Sequence, residues 1–137
     1  MRLGPLAAFL TVLVLGLCPA VTEAGHETKD VTTITAERVK FLLDAGEKML
    51  LIDLRSAKEF QQKRLPRSTL IPMAELDKRL AEIPKVGMVI VYSATPQNEI
   101  MDSVFQFFED NGYRNVAFMV EGFQGWVRRK YPIETGH

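Results

Sequence analysis

Two uninterrupted apolar runs, MLLID at 49–53 and MVIVY at 88–92, do most to decide what this chain can fold into. A strand with one wet face alternates apolar and polar residues. A run without alternation is covered on both faces, as in a parallel sheet packed between helices. The intervening stretches supply those helices. Thr35 is placed to cap one with the stripe Val39, Leu42 and Leu43, and Ala45-Gly46 stops it. Ser56 and Glu59 have the spacing of a capping box and open a short helix. Leu76, Leu80 and Ile83 predict a helix over 74–83. The longest helix carries Ile100, Val104 and Phe108, widened by Met101, Phe105 and Phe107, and closes at Asn111-Gly112. VTTI at 31–34, TLIP at 69–72 and NVAFM at 115–119 are the remaining strand candidates, and a short helix after Gly122 ends at Pro132. The expected class is α/β, with a mostly parallel five-stranded sheet flanked by helices.

The first residues do not fit that domain. Met1-Arg2 is followed by LAAFLTVLVLGL at 6–17, then Pro19 and small residues around Ala24. This pattern is that of a secretory signal over residues 1–24, with a single mature domain over 25–137. Two other readings stand beside it. Residues 3–21 form an uncharged stretch of roughly 19 residues, near the minimum for an uncleaved membrane anchor, and Cys18 could carry a lipid. The expected location is therefore exported, periplasmic or extracellular, with membrane anchoring through 3–21 as the alternative and no stable span if the signal is cleaved.

Cys18 is the chain's one cysteine. Residues 25–137 thus have no thiol, no disulfide and no cysteine metal site. Lys+Arg and Asp+Glu each number 17, so the net charge is zero and no electrostatic footprint for nucleic acid is present. The basic clusters KRLPR at 63–67 and RRK at 128–130 read as solvated surface. A mature start at Gly25-His26 would offer a nitrogen set for Cu(II), a two-residue coincidence that carries little weight. No metal and no cofactor are expected.

The candidate site is the turn after MVIVY: Ser93, Ala94, Thr95, Pro96, Gln97 and Asn98, leading into Glu99. Strand-to-helix turns present helix-start N–H groups to anions. Taken in order, LLIDLRSAKEF, LPRSTLIP, VIVYS with this turn, and GYRNVAFMVEGFQGW followed by YPIE resemble a rhodanese-like domain over about 34–134. Phosphatases that share the fold have a longer turn. The resemblance implies a three-layer α/β sheet with the active site in the turn, where catalytic members begin with a persulfide-carrying cysteine and commonly add an arginine and a small hydroxyl residue. Carried across, the cysteine falls on Ser93, the arginine on Asn98 and the hydroxyl residue on Glu99. Asp53, Arg55, Glu59, Pro66, Gly122 and Trp126 match the structural signature.

Ser93 is poorly equipped for that chemistry. Sulfur transfer needs a soft, ionised nucleophile that can hold a sulfane sulfur, and a serine needs a positioned general base. His26 and His137, the only histidines, lie at the two tails. Val91 and Thr95 stand where a nucleophile elbow has glycines. Pro96 removes an N–H donor, and Glu99 competes with a bound anion even as it favours the helix dipole. No catalytic residue is assigned.

Around this turn, Arg55, Met73, Glu99, Glu121, Gly122 and Phe123 form the expected pocket rim. Each has a plainer reading. Arg55 and Glu59 are spaced for an ion pair that holds the helix cap, and Met73, Met119, Phe123 and Trp126 suit core packing. The favoured expectation is an exported, catalytically inactive rhodanese-like domain serving as a binding or regulatory module for an unidentified protein or small-molecule partner. The alternatives are weak sulfur transfer or hydrolysis through Ser93 or a partner's thiol, and sensing of a small ligand.

Overall fold

The computed structural model describes residues 32–95 and 97–136. The expected signal, the anchor reading, Cys18, the Gly25-His26 start, Pro96 and His137 lie outside them. In chain order the elements are β1 (Thr33–Ile34), α1 (Ala36–Asp44), β2 (Met49–Asp53), α2 (Ala57–Gln62), β3 (Ser68–Leu70), β4 (Met88–Tyr92), α3 (Asn98–Asp110), β5 (Val116–Met119) and α4 (Gly122–Arg128). The five strands form one sheet in the order β1-β5-β4-β2-β3, and every adjacent pair is parallel.

The central strands are buried on both faces, and successive residues serve opposite cores. Leu50 and Ile52 of β2, Val89 and Val91 of β4, and Val116 and Phe118 of β5 meet Val104 and Phe108 of α3. Leu51, Ile90, Tyr92 and Met119 face the other way, against Val39 and Leu42 of α1 and Trp126 of α4. This double cover explains why neither apolar run alternates in the sequence.

Thr35 caps α1 through its hydroxyl, which accepts from Arg38 N, and Gly46 takes φ 69° just beyond the helix end. Residues 74–83 depart from expectation. Two 3-10 turns, Met73–Glu75 and Leu80–Glu82, replace the predicted helix. The segment runs between Pro72 and Pro84. Arg79 instead ties it back by donating to Leu70 O at 2.9 Å and to both Glu82 oxygens at 2.8 Å. Leu76 and Ile83 still reach the core, so the apolar spacing reflected burial without a continuous helix.

The last helix also stops earlier than Pro132. It ends at Arg128, and Lys130 adopts φ 57° to turn the chain. Trp126 then donates its indole N–H to Pro132 O at 2.8 Å, and the Tyr131 ring stands edge-on to it. Among the described residues, no helix is long and apolar enough to cross a membrane.

Candidate functional site

All five strands point their carboxyl ends toward the same pole, where β4 gives way to the Ser93 turn and α3 begins at Asn98. Asp53 and Tyr92 are the last residues of β2 and β4 and stand in register. This places a carboxylate and a phenol side by side beneath the turn. Tyr92 donates to Asp53 Oδ2 at 2.5 Å, and its oxygen accepts from Leu65 N at 3.3 Å. Ser68 Oγ lies 3.3 Å from the same phenol and donates to Leu65 O. Burial and the Asp53 charge together push the Tyr92 hydroxyl well above its ordinary pKa, so it is a fixed neutral donor.

Arg55 completes this network. Its backbone N–H donates to Asp53 Oδ1, its Nε reaches both carboxylate oxygens at 3.0 and 3.1 Å, and its Nη2 donates to Asp53 Oδ2 and to Lys63 O, each at 2.7 Å. Burial disfavours the cation, but hydrogen bonding to Asp53 and the carboxylate's charge outweigh that and hold its pKa above the ordinary value. The expected Arg55–Glu59 pair is therefore corrected. Arg55 is consumed by Asp53, while Glu59 accepts from the Ser56 hydroxyl and backbone N–H in the capping box. The tighter geometry came from two residues on one strand end, Asp53 and Arg55, both turned inward. Arg55 is 7% exposed and offers no cation to a solvent-borne anion.

The turn rests on α4. Phe123 N donates to Ser93 O at 2.8 Å and Gln124 N to Ala94 O at 3.0 Å. Gly122 makes that approach possible: it sits at φ 63°, and a Cβ there would meet the Ser93 and Ala94 carbonyl oxygens at 3.0 Å. Ser93 itself is 9% exposed, and its hydroxyl donates to Thr95 O at 2.9 Å. A carbonyl holds that proton but cannot take it, and the described residues contain neither histidine nor cysteine. Gln97 Nε2 donates to Thr95 Oγ1 at 3.3 Å.

The expected rim is brought together only in part. Gly122 and Phe123 meet the turn directly, and Phe123 also covers Arg55. Glu121 does structural work: Oε2 accepts from Ala36 N at 2.8 Å, and Oε1 pairs with Arg129 at 3.1 Å. Glu99 is an exposed acid in the first turn of α3. Met73 lines a separate groove with Leu76, Asp77, Ser103, Val104 and Phe107. Met119 and Trp126 are fully buried. Sequence reasoning missed the part played by Tyr92. The available signal was its position: a tyrosine closing an apolar run, level with an aspartate closing the neighbouring one.

Comparison with known proteins agrees with this fold. The chain is 28% identical over 103 residues to a sulfurtransferase of Allochromatium vinosum, covering 75% of this chain and 94% of that protein. A crystal structure of thiosulfate sulfurtransferase from Pseudomonas aeruginosa matches with a TM-score of 0.67 at 29% identity, over 78% of this chain and 21% of that one. A solution structure of a rhodanese-like domain from Anabaena sp. matches with a TM-score of 0.66 at 20% identity, over 75% of this chain and 78% of that one. The family model described as the rhodanese-like domain matches residues 35–129, most of the chain, and this protein belongs to that family.

Proposed function

We propose that this protein is an exported rhodanese-like domain that does not transfer sulfur and serves as a binding or regulatory module. The observation that carries the reading is the Ser93 hydroxyl, which donates to Thr95 O in a turn without cysteine or histidine. An alcohol oxygen does not store sulfane sulfur as a thiolate does, and here it has no base to ionise it. Arg55, the buried cation among the described residues, is already bound to Asp53. Export rests on the pattern of residues 1–24, and N-terminal sequencing of the protein recovered from cell fractions tests it.

The direct test of inactivity is sulfur transfer from thiosulfate to cyanide by the purified protein beside its Ser93→Ala variant. Background rates in both support a binding module. Turnover that Ser93→Ala abolishes makes the protein an enzyme. The second reading, transfer through a thiol supplied by a partner, is favoured by the likeness to proteins named sulfurtransferase. It predicts turnover that appears only when a thiol-bearing protein is added and survives Ser93→Ala.

A further inference from the structure

At the far end from the Ser93 turn, α3 closes on Asn111-Gly112. Asn111 is the C-cap residue, and Gly112 follows at φ 79°, a left-handed conformation that glycine takes without strain. Both residues are exposed, so water reaches them. Asparagine before glycine leaves the side-chain amide most open to attack by the next backbone nitrogen, because no Cβ stands in the way. The other asparagines of the chain differ. Asn98 precedes Glu99. Asn115 precedes the β-branched Val116, and its Nδ2 donates to Pro84 O at 3.1 Å and to Gly87 O at 3.0 Å. At Asn111 both reacting groups are restrained by hydrogen bonds to the last turn of α3. Its Nδ2 donates to Phe107 O at 2.8 Å, and the Gly112 N–H donates to Glu109 O at 2.9 Å.

We propose that Asn111 is a site of spontaneous deamidation, gated by opening of the last turn of α3. When that turn frays, the Gly112 nitrogen attacks Asn111 Cγ. The N–Cγ bond forms, the Cγ–Nδ2 bond breaks, and ammonia leaves with the proton from the Gly112 nitrogen. Water then opens the five-membered imide at either carbonyl and leaves aspartate or isoaspartate. Either product sets a carboxylate beside Glu109 and Asp110 at the negative end of the helix dipole, and removes the donor to Phe107 O. Isoaspartate also lengthens the main chain by a methylene carbon just ahead of Tyr113. That tyrosine's N–H donates to Phe108 O, and its hydroxyl lies 2.9 Å from both Leu80 O and Ile83 O. The modification thus loosens the corner that joins α3 to β5. It does not depend on whether the Ser93 turn is inert.

The test is peptide mass mapping of the full chain during incubation at mildly alkaline pH, in buffer and in concentrated urea. Conversion of amide to acid is expected at Asn111 before Asn98 or Asn115 under both conditions. It should run about tenfold or more slower in buffer, where the turn is closed most of the time. Gln106→Gly loosens the end of α3 from an exposed position and leaves Asn111 and Gly112 in place. It should raise the rate in buffer about fivefold and leave the rate in urea unchanged. Equal rates in buffer and urea, or a Gln106→Gly rate that matches the parent in buffer, would mean that the closed turn itself reacts, and would overturn the gating. No conversion at Asn111 in urea, or conversion that reaches Asn98 or Asn115 first, would overturn the site.

Discussion

The guanidinium carbon of Arg55 stands 3.8 Å from the centroid of the Phe123 ring. The first turn of α4 therefore covers the side chain whose nitrogens grip Asp53, and one cation ties the end of β2 to the helix that supports the Ser93 turn. Removing it leaves a carboxylate buried without its countercharge. Arg55→Ala should cost about 3–5 kcal/mol in urea unfolding. Phe123→Leu, which keeps the ion pair and loses the ring face, should cost about 1 kcal/mol.

Tyr92 probes the other side of the same carboxylate. Tyr92→Phe keeps the ring in the core and deletes the hydroxyl that donates to Asp53 and accepts from Leu65 N. A hydrogen bond to a charged group is worth about 1.5–3 kcal/mol. Unfolding should register that loss, and a neutral substitution would mean that Asp53 finds another donor.

Gly122→Ala should destabilise the protein by more than about 1 kcal/mol and displace the turn, since the residue combines a left-handed backbone with carbonyl oxygens at 3.0 Å from a new Cβ. Amide shifts confined to residues near Ser93 and Gly122, read together with the melting temperature, check both parts.

Ser93→Cys should restore little thiosulfate-to-cyanide transfer. The new thiol would stand in a turn followed by Asn98 and Glu99 rather than by a cation, with Arg55 already neutralised by Asp53. Turnover at the rate of an active sulfurtransferase from this single change would overturn the account of the turn.

The α2 cap gives a pH dependence. Hydrogen bonds from the Ser56 hydroxyl and backbone N–H, with a smaller contribution from the Arg55 charge, lower the Glu59 pKa. A carboxylate with a lowered folded pKa contributes stability that is complete above its unfolded pKa and is lost as pH falls through the folded one. Ser56→Ala should therefore cost about 0.5–2 kcal/mol near neutral pH. That cost should shrink as pH falls through and below the ordinary carboxylate range. A cost that stays constant down to strongly acid pH would remove Glu59 from the explanation.

Much of the architecture was legible because burial on both faces leaves a coarse mark. MLLID and MVIVY could hardly be anything but central parallel strands, and the Thr35 and Ser56 caps sit where their side-chain oxygens meet helix-start N–H groups. The segment from Met73 to Ile83 was less readable, since Leu76, Leu80 and Ile83 record which residues turn inward and not how the backbone between them is bonded. At the site, the turn itself was visible from the break after Tyr92. The wiring beneath it was not. Spacing along one helix pointed Arg55 at Glu59, whereas register between strands delivered Asp53 and Tyr92 to it. Glu121 shows the same limit, because its partner Ala36 lies 85 residues away and no local pattern reveals it.

That last contact bears on how the molecule is made. The backbone N–H at the start of α1 receives its carboxylate acceptor only once Glu121 exists, and among the described residues β1 pairs in the sheet with β5 alone. While the chain leaves the ribosome, its opening strand and helix must wait for nearly the whole length to follow. A nascent chain stalled before residue 116 should remain open to protease along residues 33–44, and protection should arrive in one step after β5 and the first turn of α4 emerge.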